Sequence, residues 1–202
     1  MKLYYAPGAC SLAAHIALCE AGLPHTLERV TMKTHQLADG TDFYTINPLG
    51  YIPVLELNSG ERLRECSAIV QYIADQVPDM PLAPAHGKMA RYRLQEWLAF
   101  ISTELHQPFG LLFNPATPAD YKPTLHARLL QRLQWVDEQL GNQMHLMGEP
   151  FTVADGYLFT VVNWGGFVGV DVSALERLSA FQTRVAARPA VQTAMRAEGI
   201  VK

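Results

Sequence analysis

Cys10 stands in the run Tyr5-Ala6-Pro7-Gly8-Ala9-Cys10-Ser11, after a short apolar stretch and before residues with helical spacing. A sulfur at a strand-to-helix junction faces unbonded backbone N–H groups and the positive end of a helix dipole. Both favour a thiolate, whether that of the side chain or that of a bound ligand. The plainer reading, a small core cysteine, suits Cys19 inside the expected first helix. A dithiol redox centre needs a second cysteine three residues on, and that position is Ala13. Cys10 can therefore form a mixed disulfide with an outside thiol but cannot close one of its own. Two further segments offer ligand chemistry. Asn47-Pro48-Leu49-Gly50-Tyr51-Ile52-Pro53-Val54 puts a proline at the entry of a strand, where it cannot donate to the ladder and so marks an edge. A cis Ile52–Pro53 bond turns the N–H and C=O of Ile52 toward a ligand; a tight loop is the alternative. Glu65-Cys66-Ser67-Ala68-Ile69 opens a helix straight after a strand. Glu65 can accept from an ammonium group while the amides of Cys66 and Ser67 hold a carboxylate. An ordinary helix cap would use the same residue types.

These side chains need elements to position them. Leu3-Tyr4-Tyr5 reads as a strand halted by Pro7-Gly8, and Ser11 as the cap of a helix that Gly22 ends. Leu27 to Met32 alternates as a second strand. Ile52 to Leu57, the turn residues Asn58-Ser59-Gly60 and Arg62 to Glu65 form a hairpin pattern, followed by a helix over Ser67–Gln76. The order implies a small mixed sheet with helices packed on it. Pro78, Pro81 and Pro84 fall within seven residues and predict a semi-rigid linker over 78–86. Beyond it the pattern is helical: from Met89 to Ile101, from Pro123 to Leu140, one nearly all-apolar helix over Val153–Val168, and two shorter ones divided by Arg188-Pro189. Pro108 clashes with the turn that holds Glu104, so the helix carrying His106 should bend. Thr152-x-x-Asp155 reads as a capping motif with a role in folding alone. The expected organisation is an α/β domain over residues 1–77 and an all-α domain over 87–202.

Bulk properties exclude several classes. The chain has 202 residues, is 49% hydrophobic and 17% charged, and carries a net charge of −3. That balance gives no electrostatic reason to expect nucleic acid or an anionic membrane as partner. Three widely spaced cysteines without Cys-x-x-Cys argue against a disulfide scaffold or zinc site and for a reducing, cytoplasmic compartment. No apolar run is long enough for a membrane span. The first residues do not have the pattern of a signal peptide.

Taken together, a thiol-handling junction, a pre-proline backbone edge and an amino-acid clamp match the sulfur, peptide unit and γ-glutamyl head of glutathione. With Glu-Trp-Leu and Glu-Leu-His at 96–106, Phe151-Thr152-Val153-Ala154-Asp155 and Arg188-Pro189-x-Val191, the chain resembles the glutathione S-transferases along its whole length. Within them it is most similar to the bacterial beta class. The resemblance implies a thioredoxin-like first domain, a helical second one, a cis Pro53, and a homodimer with active sites between the domains. It further implies that Cys10 and His106 lie near the glutathione sulfur and that Ile52 pairs with the tripeptide backbone. Glu65 and Cys66 would hold the γ-glutamyl end, with Thr103 and Glu104 nearby, and His35 the glycine carboxylate. Glutathione is then co-substrate, small hydrophobic electrophiles are its partners, and no cofactor or metal is expected. Tyr92, Trp97, Phe100, Phe109, Phe113 and Trp164 are available as an apolar wall for the electrophile. The chain departs from the family at His35, where some relatives have lysine, at Cys66, where serine is usual, and at Ala99, where asparagine occurs. Tyr5 and Ser11 rival Cys10 as the group that activates sulfur. Two other functions use the same site: a monothiol glutathione-dependent disulfide reductase or peroxidase through Cys10, or a non-catalytic glutathione binder.

Overall fold

The structure, a computed structural model, describes residues 1–201. Its chain divides into two compact units, one of Met1–Leu82 with the C-terminal residues from Arg188 on, the other of Ala83–Ala187.

In the first unit β1 (Lys2–Tyr5) leads into α1 (Ser11–Glu20), β2 (Thr26–Arg29), β3 (Val54–Glu56), β4 (Arg62–Leu63) and α2 (Cys66–Asp75). The sheet order is β2-β1-β3-β4. β2 runs parallel to β1, with Leu3 opposite Leu27, while β3 is antiparallel to both β1 and β4. Successive side chains of a strand face opposite ways. Tyr4 and Val54, paired across β1 and β3, pack with Val30, Phe43 and Ile46, so Leu3 and Leu55 point to the other face, where they are also fully buried. Burial on both faces explains why these short strands are almost continuously apolar. α1 packs against α2 and against the last helix, α9 (Pro189–Ala197).

The second unit holds α3 (Met89–Phe100), α4 (Gln107–Phe113), α5 (Lys122–Leu140), α6 (Val153–Val162), α7 (Gly165–Val168) and α8 (Glu176–Ala186). Every residue of α6 is buried, and α8 packs against both α5 and α6. Asp137 of α5 accepts from the Leu178 N–H at the start of α8 at 2.8 Å and from Arg177 at 3.3 Å. That contact ties two helices through an N-terminal amide. Among the described residues, no helix is long and apolar enough to cross a membrane.

Several sequence expectations need correction. Residues from Arg188 on return to the first unit, because α9 covers α1, whereas the sequence pattern had assigned them to the helical domain. Ser11 does not cap α1: its hydroxyl bridges the Ala6 N–H and C=O, and Cys10 occupies the N-cap with no side-chain bond to the helix amides. The second strand lies earlier than Leu27–Met32, since its pairing follows four-residue β1 and Thr31 instead bridges to Gln36. The long apolar helix is broken after Val162, at the turn before Gly165. A Cβ on Gly165 would stand 2.6 Å from the Val170 oxygen, and the Val170 N–H bonds back to the Gly165 carbonyl. The bend expected near Pro108 takes the form of a π-helical stretch over Ile101–His106, with the Gln107 N–H reaching five residues back to Ser102. Pro108 has no N–H for the regular ladder, and widening the preceding turn accommodates it.

The Thr152 cap is present, and its reach is longer than expected. Fully buried Asp155 accepts from the Thr152 N–H at 2.7 Å, the Thr152 hydroxyl at 2.8 Å and the Leu146 N–H at 2.8 Å. Asp155→Ala leaves two buried amides without acceptors, each worth about 1–3 kcal/mol. We expect a loss of about 3–5 kcal/mol in urea unfolding, and a loss below 1 kcal/mol would contradict this account.

Candidate active site

The site in the first unit begins where β1 gives way to α1. Gly8 takes φ 69°, which a glycine adopts without strain, and its N–H donates to Glu198 of the final turn at 2.9 Å. The turn delivers Cys10 to the N-terminus of α1, where the sulfur donates to the Ile52 carbonyl at 3.3 Å. Burial pushes the Cys10 thiol up to about 12, outweighing the lowering by the amides of Cys10 and Ser11. At neutral pH Cys10 is thus an S–H donor, and the dipole argument applies to a bound sulfur, not to its own. The two rival activators are occupied elsewhere. Ser11 is fully buried with its hydroxyl on Ala6, and Tyr5 is buried with its ring 6.4 Å from that of His15.

The peptide bond between Ile52 and Pro53 is cis. Ile52 offers its carbonyl to Cys10, and its N–H has no partner among the described residues. Glu65 precedes α2 at φ 65°, a conformation unfavourable for a side-chain-bearing residue by about 1–3 kcal/mol. The N–H groups of Cys66 and Ser67, at the start of α2, bond to no group among the described residues. Exposed Glu65 therefore stands beside two open amides. The Cys66 side chain turns inward, 3.6 Å from the Cys10 carbonyl, and burial raises its pKa well above the ordinary thiol range. Its amide, by contrast, is open. His35, at φ 52°, stacks on Tyr44 with centroids 4.7 Å apart, and its Nδ1 is buried without a partner among the described residues.

In the second unit, His106 closes the π-helical stretch. Its Nδ1 lies 2.6 Å from the Tyr157 hydroxyl, and its ring contacts Trp164 at 5.0 Å. Burial lowers its pKa to about 4, so the imidazole is neutral under ordinary conditions. When the Tyr157 hydroxyl donates to Nδ1, the ring proton sits on Nε2, which is then an uncharged donor. Glu104 is not an open carboxylate: it binds Arg132 at 2.8 Å and Arg128 at 3.0 Å, and these bonds hold it below the usual glutamate range. The arginines lie on α5, four residues apart, and were missed because their pairing with Glu104 spans over twenty residues. Thr103 is exposed, with its hydroxyl on the Ala99 carbonyl. The six candidate wall aromatics separate. Phe109 is core; Trp164 and exposed Phe113 pack at 6.0 Å beside His106. Trp97 and Phe100 instead join Trp135 in a surface cleft of ≈ 510 Å³, and Tyr92 is simply exposed.

A β2-β1-β3-β4 sheet with a cysteine at the first helix N-terminus and a cis-proline beside it defines a thioredoxin-like unit that handles thiols. The comparisons narrow the class. Family models described as "Glutathione S-transferase, N-terminal domain" and "Glutathione S-transferase, C-terminal domain" match residues 8–76 and 100–189. "Glutathione S-transferase GstA" of Escherichia coli O157:H7 is 47% identical over 200 residues, spanning 99% of this chain and 100% of its own length. The glutathione complex of a sphingomonad glutathione S-transferase is 43% identical with a TM-score of 0.95 over 100% of both chains. A beta class enzyme of Sphingomonas chungbukensis is 44% identical with a TM-score of 0.96, again over 100% of both. The chain belongs to the glutathione S-transferases.

Two titrations test this geometry. Cys10 should react with iodoacetamide far more slowly at pH 7 than free cysteine does, and a fast reaction would disprove a thiol near 12. The His106 ring resonances should stay neutral down to about pH 4. Because an unfolded histidine takes up its proton near 6.5, the unfolded state binds more protons between about 6.5 and 4. His106 therefore costs stability as pH falls through that window, and His106→Asn should flatten the slope there.

Proposed function

We propose that the protein binds glutathione in its first unit, ionises the sulfur over the N-terminus of α1, and transfers it to small hydrophobic electrophiles. The reading is carried by the open backbone donors of one thioredoxin-like unit: the N–H of Ile52 and the first amides of α2. They suit the peptide unit and the γ-glutamyl carboxylate, and Glu65 suits the ammonium group. His35, carrying an unpartnered Nδ1, is assigned the glycine carboxylate.

An alkyl thiol near pKa 8.5 is only a few per cent ionised at neutral pH. Lowering it by about two units needs roughly 2.7 kcal/mol. The N–H groups of Cys10 and Ser11 supply donors at α1, the Cys10 S–H joins them only by turning away from the Ile52 carbonyl, and His106 is carried over from the family as a further, neutral donor. The glutathione thiol proton passes to solvent; the thiolate attacks an electrophilic carbon, forming a C–S bond, and a leaving group departs with its electron pair, or the adduct takes a proton from solvent. For the electrophile's apolar wall we assign exposed Phe113, which packs on buried Trp164. Thr103 and Glu104 keep the supporting place the resemblance gives them, Glu104 with its charge already met by arginines. A homodimer working in the cytoplasm on detoxification completes the proposal.

The buried, protonated state of Cys10 argues for this reaction over attack by Cys10 on a mixed disulfide, which requires that thiol to ionise. Cys10→Ala should retain most conjugation of a chlorinated nitrobenzene and lose any disulfide exchange. Thiolate absorbance of bound glutathione should titrate about two units below that of free glutathione; an unshifted titration rejects the mechanism. Calorimetry that detects no uptake at millimolar glutathione rejects the binding site itself.

A further inference from the structure

Away from the proposed glutathione site, α1 carries a second group of ligating atoms. His15 and Cys19 are one helical turn apart, and His25 stands just before β2. One candidate donor atom from each lies within 4.8 Å of the others. His15 is buried, whereas Cys19 and His25 are half-buried and open the group to the surface. The sequence pattern gave Cys19 to the core and found no metal spacing, because a His-x-x-x-Cys turn completed by a residue from the next connection has no Cys-x-x-Cys signature.

The orientation of both imidazoles is informative. His15 Nδ1 lies 2.9 Å from Glu198 Oε1, and His25 Nδ1 lies 2.8 Å from the Leu23 carbonyl. Both acceptors are oxygens, so in each ring the Nδ1 carries the proton and the neutral ring has its lone pair on Nε2. A carboxylate or backbone carbonyl behind the far nitrogen is the usual outer support of a metal-bound histidine. The rings meet edge to face with centroids 5.5 Å apart. Glu20, next to Cys19, is held by Arg188 through bonds of 2.6 and 2.8 Å and is not a competing ligand. Buried Glu198 places a negative charge directly behind His15.

We infer that His15, Cys19 and His25 form a site for a thiophilic divalent cation of the zinc type, bound by two Nε2 atoms and one thiolate. Two nitrogens and a sulfur suit zinc or cobalt and not magnesium or calcium, and the fourth position is left to water. Bond lengths of about 2.0–2.1 Å to nitrogen and about 2.3 Å to sulfur put these tetrahedral ligands ~3.3–3.6 Å apart. Closure therefore requires about 1 Å of movement, available to the two half-buried side chains. On binding, the Cys19 S–H bond breaks, its proton goes to solvent and the sulfur pair goes to the metal.

The test uses the untagged full chain, stripped with a chelator and titrated with cobalt(II). One ion per chain should bind and give a sulfur-to-cobalt charge-transfer band in the near ultraviolet. Cys19→Ser should abolish the band, and Cys10→Ala should leave it. In competition with a chromophoric chelator, His25→Ala should weaken zinc binding by at least about tenfold. His25 is half-buried, so its variant carries the comparison if Cys19→Ser does not fold. Absence of the band in the unmodified chain, survival of the band in Cys19→Ser, or zinc affinity unaffected by His25→Ala would overturn the site.

Discussion

The first unit depends on one buried carboxylate. Glu198, in the last turn of the chain, receives the Gly8 N–H on one oxygen and the His15 ring on the other. A carboxylate taken out of water is tolerated only when its lone pairs are met, and removing a partner from such a pair typically costs about 3–5 kcal/mol. Here the partners hold the turn between β1 and α1 against a helix almost two hundred residues away. The position of Cys10, and with it the direction of the open amides behind it, follows from that turn.

What the unit leaves unsatisfied is as informative as what it satisfies. Most buried backbone donors in a folded protein are paired. Here the N–H groups of Ile52, Cys66 and Ser67 have no partner among the described residues, and a glutamate at positive φ directly precedes the last two. Such conformations are unfavourable and persist where the surroundings impose them. Cys10 and His106 share another property: burial keeps both uncharged near neutrality, the first as an S–H and the second as an imidazole. Neutral donors can bond an anion without presenting a second full charge that would need its own solvation.

The elements of both units were legible because their patterns are local. An apolar run halted by Pro7-Gly8 marked β1, the turn residues Asn58-Ser59-Gly60 marked the hairpin, turn glycines closed α1 and α5, and Thr152 with Asp155 announced α6. The Cys10, Ile52 and α2 segments could be picked out because proline, cysteine and acid occupied telling positions beside expected strands. What the sequence hid is contact between distant residues. Nothing local joins Glu198 to Gly8, Arg128 and Arg132 to Glu104, or His25 to His15. Nor does residue type reveal ionisation: a cysteine at a helix N-terminus reads as an incipient thiolate until its burial is known. The break in the apolar stretch after Val162 was equally silent, since it follows from the approach of Val170 to Gly165.

The discontinuity of the first unit has a bearing on the order of events during synthesis. Met1–Leu82 leave the ribosome before the helical unit, but the helix that covers α1 belongs to the residues from Arg188 on, which follow that unit. At roughly 5–20 residues per second, translation of the intervening hundred or so residues takes about 5–20 s. Throughout that interval the nascent sheet carries α1 with its outer face bare and His15 lacking the acid that shields it. The thiol-handling unit is thus begun before the helical one and completed after it.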